Sequence, residues 1–212
     1  MEYCEYLKKL EAVYNQIPPQ TCLNCQECCV CNVVCSAIEY LYIKIYIEEY
    51  FTVEQKKSLD KRVMMNYSIE TLFGQKKGKV RRMPCFFMEK EKKKCSIYPA
   101  RPFLCRTGGL KGFWGSCRNA KIADGRDFGP KEAKGFAKEI KDISKLYLSK
   151  YGLFDRNYDF MQNWFYVDKF GKNGRIPLGE NQQELDVEEI LDGRPLLGDG
   201  KGFYDVEFEH FF

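Results

Sequence analysis

Six cysteines fall within fourteen positions near the start of this chain, in the run Cys22-Leu-Asn-Cys25-Gln-Glu-Cys28-Cys29-Val-Cys31-Asn-Val-Val-Cys35. Cys85, Cys95 and Cys105 follow at even spacing and Cys117 closes the series, so that all eleven, with Cys4, lie in the first 117 residues. Thiolate is the ligand that soft metals and iron–sulfur clusters select, and thiols this dense in sequence point to a metal centre. His210 is the single histidine, third from the end of the chain. A mixed Cys/His zinc site of the finger type therefore lacks its ligands, and a site here must be built mainly from sulfur.

Several spacings overlap in the first run. Cys25-x2-Cys28-x2-Cys31-x3-Cys35 has the spacing of a bacterial ferredoxin ligand run, which places three sulfurs on one cube and sends the fourth to a second cluster. Ser36 stands where the usual proline would follow. Cys22-x2-Cys25 and Cys25-x2-Cys28 are each also a zinc-knuckle spacing or a redox CxxC pair. The neighbours Cys28 and Cys29 diverge in most backbone conformations, so that one of them binds a given metal while the other faces the core or a second cluster. Cys4, alone, reads as a buried or unligated thiol.

The elements that must position these thiols are partly legible. Glu2 to Gln16 reads as an amphipathic helix with Tyr6, Leu10 and Tyr14 on one face, stopped by Ile17-Pro18-Pro19. Ser36 to Phe51 reads as a helix apolar over most of its surface and therefore buried, and Thr52 caps a further helix with Leu59, Val63 and Met64. Pro84 to Tyr98 predicts a tight hairpin whose base sets Cys85 beside Cys95 across the charged turn Glu89 to Lys94. Gly108, Gly109, Gly112 and Gly115 make the next stretch a loop. Pro130 opens the clearest helix, with Phe136, Ala137, Ile140, Ile143, Tyr147 and Tyr151 at 3-4 spacing and Gly152 as its stop. A second aromatic helix is expected from about Tyr158 to Phe170 and a short one over Val187 to Leu191.

Composition bounds the class. At 212 residues, 44% hydrophobic and 15% aromatic, the chain is long and apolar enough for a sizeable core. It has no apolar run near the roughly 20 residues of a membrane span and no secretory pattern at Met1-Glu-Tyr, so a cytoplasmic, reducing setting without membrane contact is the expectation. There, cysteine clusters read as metal or redox sites before structural disulfides, and an odd cysteine count also argues against full pairing. The net charge of +4 hides an asymmetry. Residues 75–118 hold thirteen Lys/Arg against two Asp/Glu, and residues 180–212 hold ten acidic residues against two basic ones. Four thiolates on one metal centre leave a complex of about −2, which nearby cations offset. A solvated basic face is the plainer reading. An anionic substrate or a redox partner protein at 75–118 is the functional one, and a single-stranded nucleic-acid groove over Arg81 to Trp114 is the weakest, since the aromatics there alternate with cysteines.

Taken together, Cys22-x2-Cys25-x2-Cys28-Cys29 and Pro84-Cys85-x9-Cys95-Ser-Ile-Tyr-Pro-Ala-Arg-Pro-Phe-Leu-Cys105-Arg106 resemble the YkgJ-type cysteine-cluster family of zinc- or iron-chelating domains. That family carries a CxxCxxCC element followed by C-x-IY-xx-RP-xx-CR. The resemblance covers about residues 20 to 107, and Glu39 resembles an acidic position common there. It implies a metal centre, [4Fe-4S] first and zinc as the alternative, held by cysteines of both elements. Cys25, Cys28, Cys85, Cys95 and Cys105 come first as ligands, Cys22 and Cys29 next. Cys31, Cys35 and Cys117 are additions to the pattern that point toward a second cluster. Flagellin lysine methylases carry a similar cysteine pattern, which adds a lysine-methylating enzyme as a third reading beside a redox or cluster-dependent iron–sulfur protein and a zinc-stabilised binding module. No G-x-G-x-x-G fingerprint accompanies it.

Arg101 and Arg106 flank Cys105. They are candidates for contacting an anionic substrate or tuning a cluster by charge and N–H···S bonds. The plainer alternative for Arg101 is to hold the Pro99-to-Pro102 turn through backbone carbonyls. Tyr98 reads as packing beneath the metal loop, and Trp114 and Trp164 as core. The expected architecture is mainly α with a small β-hairpin. An irregular cysteine-rich metal-binding half, residues 1–120, packs on an aromatic helical layer with an acidic tail, residues 121–212, and the two form one compact unit.

Overall fold

The 3-4 apolar spacing that starts at Pro130 is realised as a helix of 22 residues, which organises the structure around it. The computed structural model describes residues 4–21, 29, 33–72, 85–89, 94–108, 110, 121–122, 128–151, 158–161, 164–165 and 168. Within them the fold is mainly helical: α1 (Cys4–Tyr14), α2 (Ala37–Tyr50), α3 (Val53–Leu72), the short α4 (Phe103–Thr107) and α5 (Pro130–Tyr151). Pro130 opens α5, where its missing N–H leaves no intrahelical bond unmade. The helix buries Ala133, Ala137, Ile140, Ile143 and Tyr147 against α1 and α2.

Helix α2 is apolar on nearly all sides because it is the wall between two apolar clusters. Ile38 belongs to the first, with Leu10, Val13, Tyr14, Phe103, Phe128, Ile140 and Tyr147. Ala37, Tyr40, Ile43 and Ile47 belong to the second, with Leu59, Val63, Phe86, Phe87, Ile97, Met161 and Trp164. Thr52 caps α3 as expected. Its hydroxyl accepts the Gln55 N–H at 3.3 Å, and the Gln55 side chain accepts the Thr52 N–H at 2.8 Å.

Strands are short. Among the described residues there are three two-stranded antiparallel ladders: β1 (Gln20–Thr21) with β5 (Lys121–Ile122), β2 (Val34–Ser36) with β6 (Tyr158–Phe160), and β3 (Met88–Glu89) with β4 (Lys94–Cys95). The predicted hairpin is the last of these, in the register Met88 opposite Cys95 and Glu89 opposite Lys94. The aromatic helix expected from Tyr158 begins instead as a strand. Residues 158–160 pair with β2, and the Met161 N–H extends the contact to the Val33 carbonyl at 2.8 Å. A free strand edge at β2 satisfies these backbone groups, and the aromatic–polar–aromatic order of Tyr158-Asp159-Phe160 suits a strand. Helical backbone follows only at residues 161, 164, 165 and 168 among those described. Gly152, the segment Val187 to Leu191, the acidic stretch 180–212 and most of the basic stretch 75–118 lie outside the described residues. Among the described residues no helix is long and apolar enough to cross a membrane.

Candidate metal centre

Cys85 opens the hairpin element. Its N–H donates to the Cys29 carbonyl at 2.6 Å, which ties the second cysteine element to the first run. Its own carbonyl accepts the Met88 N–H at 2.9 Å, forming the turn that leads into β3. Met88 lies opposite Cys95, and the Phe87 carbonyl accepts both the N–H and the hydroxyl of Ser96 at 2.9 and 3.0 Å. The hairpin is thus where the sequence pattern predicts it, but its register sets Met88, not Cys85, opposite Cys95; Cys85 lies three residues before the ladder. Two-residue strands supply little stability of their own. What holds them is the apolar floor beneath: Phe86, Phe87, Ile97 and Ala100 are buried, and Cys85 and Cys95 pack half-exposed against that cluster.

The chain then turns through a 3-10 segment, Tyr98–Ala100, into α4. Pro102 precedes the helix and its carbonyl accepts the N–H groups of Cys105 and Arg106 at 2.9 and 3.0 Å. Cys105 is half-exposed, like Cys29, Cys85 and Cys95. Cys35 differs: it lies on β2, is buried within the second cluster, and its carbonyl accepts the indole N–H of Trp164 at 2.9 Å. Cys4 is the first residue of α1. Cys22, Cys25, Cys28, Cys31 and Cys117 lie outside the described residues. Among the described residues no three Cys, His, Asp or Glu side chains converge to hold a metal ion. By chemistry these thiols are the donors that soft metals select, and Cys85 and Cys95 both border the second apolar cluster.

Both arginines direct donors at backbone carbonyls of the same turn. Arg101 Nε donates to the Tyr98 carbonyl at 3.1 Å, and its guanidinium lies 3.7 Å from the centre of the Tyr98 ring. Arg106 Nε donates to the Arg101 carbonyl at 2.7 Å, Arg106 Nη2 donates to the Pro99 carbonyl, and the guanidinium stacks 4.0 Å from the centre of the Tyr14 ring. Their charges stand beside Cys105 in sequence while their N–H groups set the turn. On the hairpin side, Tyr46 stands near Cys95. Burial first, then the Tyr50 phenol and the Cys95 thiol, raise its titration above the ordinary tyrosine value.

Glu39, which the family resemblance singled out without a role, is the residue whose partners the sequence did not show. It is buried at the start of α2 and accepts four hydrogen bonds. Oε2 takes the Ser36 N–H at 2.8 Å and the Ser36 hydroxyl at 2.9 Å, and Oε1 takes the Tyr14 hydroxyl at 2.8 Å and the Phe103 N–H at 2.6 Å. The Ser36 hydroxyl oxygen in turn accepts the Glu39 N–H, completing a capping box. Ser36-x-x-Glu39 ahead of an apolar run is the signal that could have placed this box. Nothing local announces the two partners from α1 and α4.

Residues 21–124 match the family described as "CxxCxxCC: Putative zinc- or iron-chelating domain", a span that takes in both cysteine elements. No curated protein and no solved structure matches the chain.

Proposed function

From the membership of residues 21–124 in the CxxCxxCC family of zinc- or iron-chelating domains, we propose that this chain is an iron–sulfur protein with a redox or cluster-dependent role. On this reading Cys85, Cys95 and Cys105 hold a [4Fe-4S] cluster together with thiols of the first run. The observation that supports it is the Cys85–Cys29 backbone bond, which joins the second cysteine element to the first run; Cys29, Cys85, Cys95 and Cys105 are each only half-buried. The apolar residues below, Phe86, Phe87 and Ile97, would keep water from the inner side of the site, and burial of that kind is one of the means by which a protein sets cluster potential. Arg101 and Arg106 would offset the negative charge of a four-thiolate complex. A bound cluster would supply one-electron exchange.

A second reading has its own support. Strands of two residues, a five-residue helix and a 3-10 turn form a segment that gains much from a crosslink, which a zinc ion on four thiolates would provide. Metal analysis after anaerobic purification separates the two. About four irons and four sulfides per chain, with a broad visible band that bleaches on reduction, are expected for one cube, and about eight would bring Cys31, Cys35 and Cys117 into play. Stoichiometric zinc in a colourless protein overturns the redox reading and leaves the zinc-held module. Replacing Cys85 or Cys105 with alanine should abolish stoichiometric metal in either case.

A further inference from the structure

The geometry points to Glu39 as a positioning residue of the metal centre, acting on Cys105 through both ends of α4. The inference rests on the metal-binding reading above and extends it to a side chain that is no ligand.

Helix α4 has five residues, Phe103–Thr107, too few to be stable by themselves. Cys105 sits at its middle. Two tertiary anchors bracket that cysteine. On one side the Phe103 N–H, two residues before it, donates to Glu39 Oε1 at 2.6 Å. On the other the Arg106 guanidinium, one residue after it, stacks on the ring of Tyr14. Tyr14 is itself fixed by its hydroxyl bond to the same Glu39 oxygen. One carboxylate thus sets both flanks of Cys105, and its other oxygen is fastened to Ser36, the residue after Cys35. Outer partners of this kind orient a ligand before the metal arrives, so that less ordering remains when it binds.

Glutamine at this position separates shape from acceptor count. A carboxylate accepts from four donors, whereas a carboxamide accepts with its oxygen and presents an NH2 on the other side. The capping box spans only three residues and so retains the oxygen at little closure cost. The NH2 then faces Tyr14 and Phe103. The tyrosine hydroxyl can rotate to accept. The Phe103 N–H cannot, and α4 loses its anchor.

The test uses the full chain, purified anaerobically with the metal it carries and titrated against EDTA, beside urea unfolding of the metal-free protein. Glu39→Gln should release metal at about 10- to 100-fold lower EDTA than the wild type. Ser144→Ala is the control, since the Ser144 hydroxyl accepts the buried Ile38 N–H at 3.3 Å and so ties α2 to α5 rather than to α4. It should lower the urea midpoint while leaving the EDTA midpoint in place. Equal retention by Glu39→Gln and wild type overturns the inference alone, as does an equal shift of the EDTA midpoint by Ser144→Ala. A wild-type chain that carries neither iron nor zinc overturns the metal reading and the inference with it. Should Glu39→Gln fail to fold, amide exchange of the wild type decides. By reciprocity of coupling, removing the metal should speed exchange at Phe103 and spare Ile38. Unchanged protection at Phe103 overturns the inference.

Discussion

Tyr14→Phe isolates one bond of the Glu39 network and gives it a pH signature. The substitution deletes a buried hydroxyl that donates to Glu39 at 2.8 Å and leaves the ring in place. The edge contact with Tyr42, 6.0 Å between ring centres, and the Arg106 stack are retained. A hydrogen bond to a charged acceptor contributes about 1.5–3 kcal/mol, and burying a phenylalanine in place of a phenol returns part of it, which leaves a loss of about 1–2 kcal/mol at neutral pH. For a chain of this size each kcal/mol lowers the melting temperature by about 2–4 °C. The pH dependence follows from the phenol itself. Burial first, then the negative charge of Glu39, push Tyr14 well above the ordinary tyrosine range, against the Arg106 cation that pulls it down. Its folded value therefore exceeds its unfolded one, and the protonated phenol is what folding favours. That contribution is fully present below about pH 10 and is lost as pH rises beyond it, by up to about 1.4 kcal/mol for each further pH unit.

Phenylalanine has no such proton, so the gap between wild type and Tyr14→Phe should close as the solution becomes alkaline. Tyr40, Tyr42 and Tyr46 are raised as well, chiefly by burial, but they are common to both proteins and cancel in the difference. Urea unfolding followed by far-ultraviolet circular dichroism at about pH 7.5 and about pH 11, with both proteins in one metal state, should show the gap shrinking by about 1.4 kcal/mol. A gap that stays constant or widens would refute the assignment of Tyr14 as donor to a buried carboxylate.

Two further substitutions probe the frame. Ile140→Ala, in the first cluster, should cost about 2–5 kcal/mol in urea unfolding, whereas Leu146→Ala on the outer face of the same helix should stay within about 0.5 kcal/mol. Lys44 Nζ donates to both oxygens of Asp168 at 2.9 and 2.7 Å, but both side chains are more than a third exposed. Lys44→Met should therefore change stability by no more than about 1 kcal/mol, and added salt should shrink the difference further.

What the sequence revealed of this fold is what local spacing carries. The apolar stripe of α5 and its opening Pro130, the Thr52 cap of α3, the proline stop after α1 and the all-round apolar surface of α2 are each written within one or two turns. The hairpin was legible for a similar reason, since Cys85 and Cys95 flank a charged turn, though its ladder runs only two residues on each side. Strand β6 was misread as helix because its partner, β2, lies more than a hundred residues earlier, and three residues are too few for a period-2 signal to outweigh a following helical stretch. The Glu39 network was illegible for the same cause. Tyr14 lies 25 residues before Glu39 and Phe103 lies 64 after it, and no local pattern records such a meeting.

That network also explains why a carboxylate stands where a core residue might. Four donors from three elements converge on one buried point, and two of them, the Ser36 and Phe103 N–H groups, are backbone donors that no rotamer can turn away. An apolar side chain there would leave both unsatisfied at about 1–3 kcal/mol each, which outweighs the gain from removing a buried charge. The helical layer is otherwise self-sufficient: α2 is capped by Ser36, its Ile38 N–H is held by Ser144 of α5, and α1 packs directly on α5. The cysteine elements are not. Their strands and turns rest on one apolar floor, and among the described residues Glu39 is where α4 is hydrogen-bonded to the helices behind it. A side chain chosen for packing alone would be apolar; one that also holds the Cys105-bearing turn in place has to accept hydrogen bonds, and Glu39 does both jobs from inside the core.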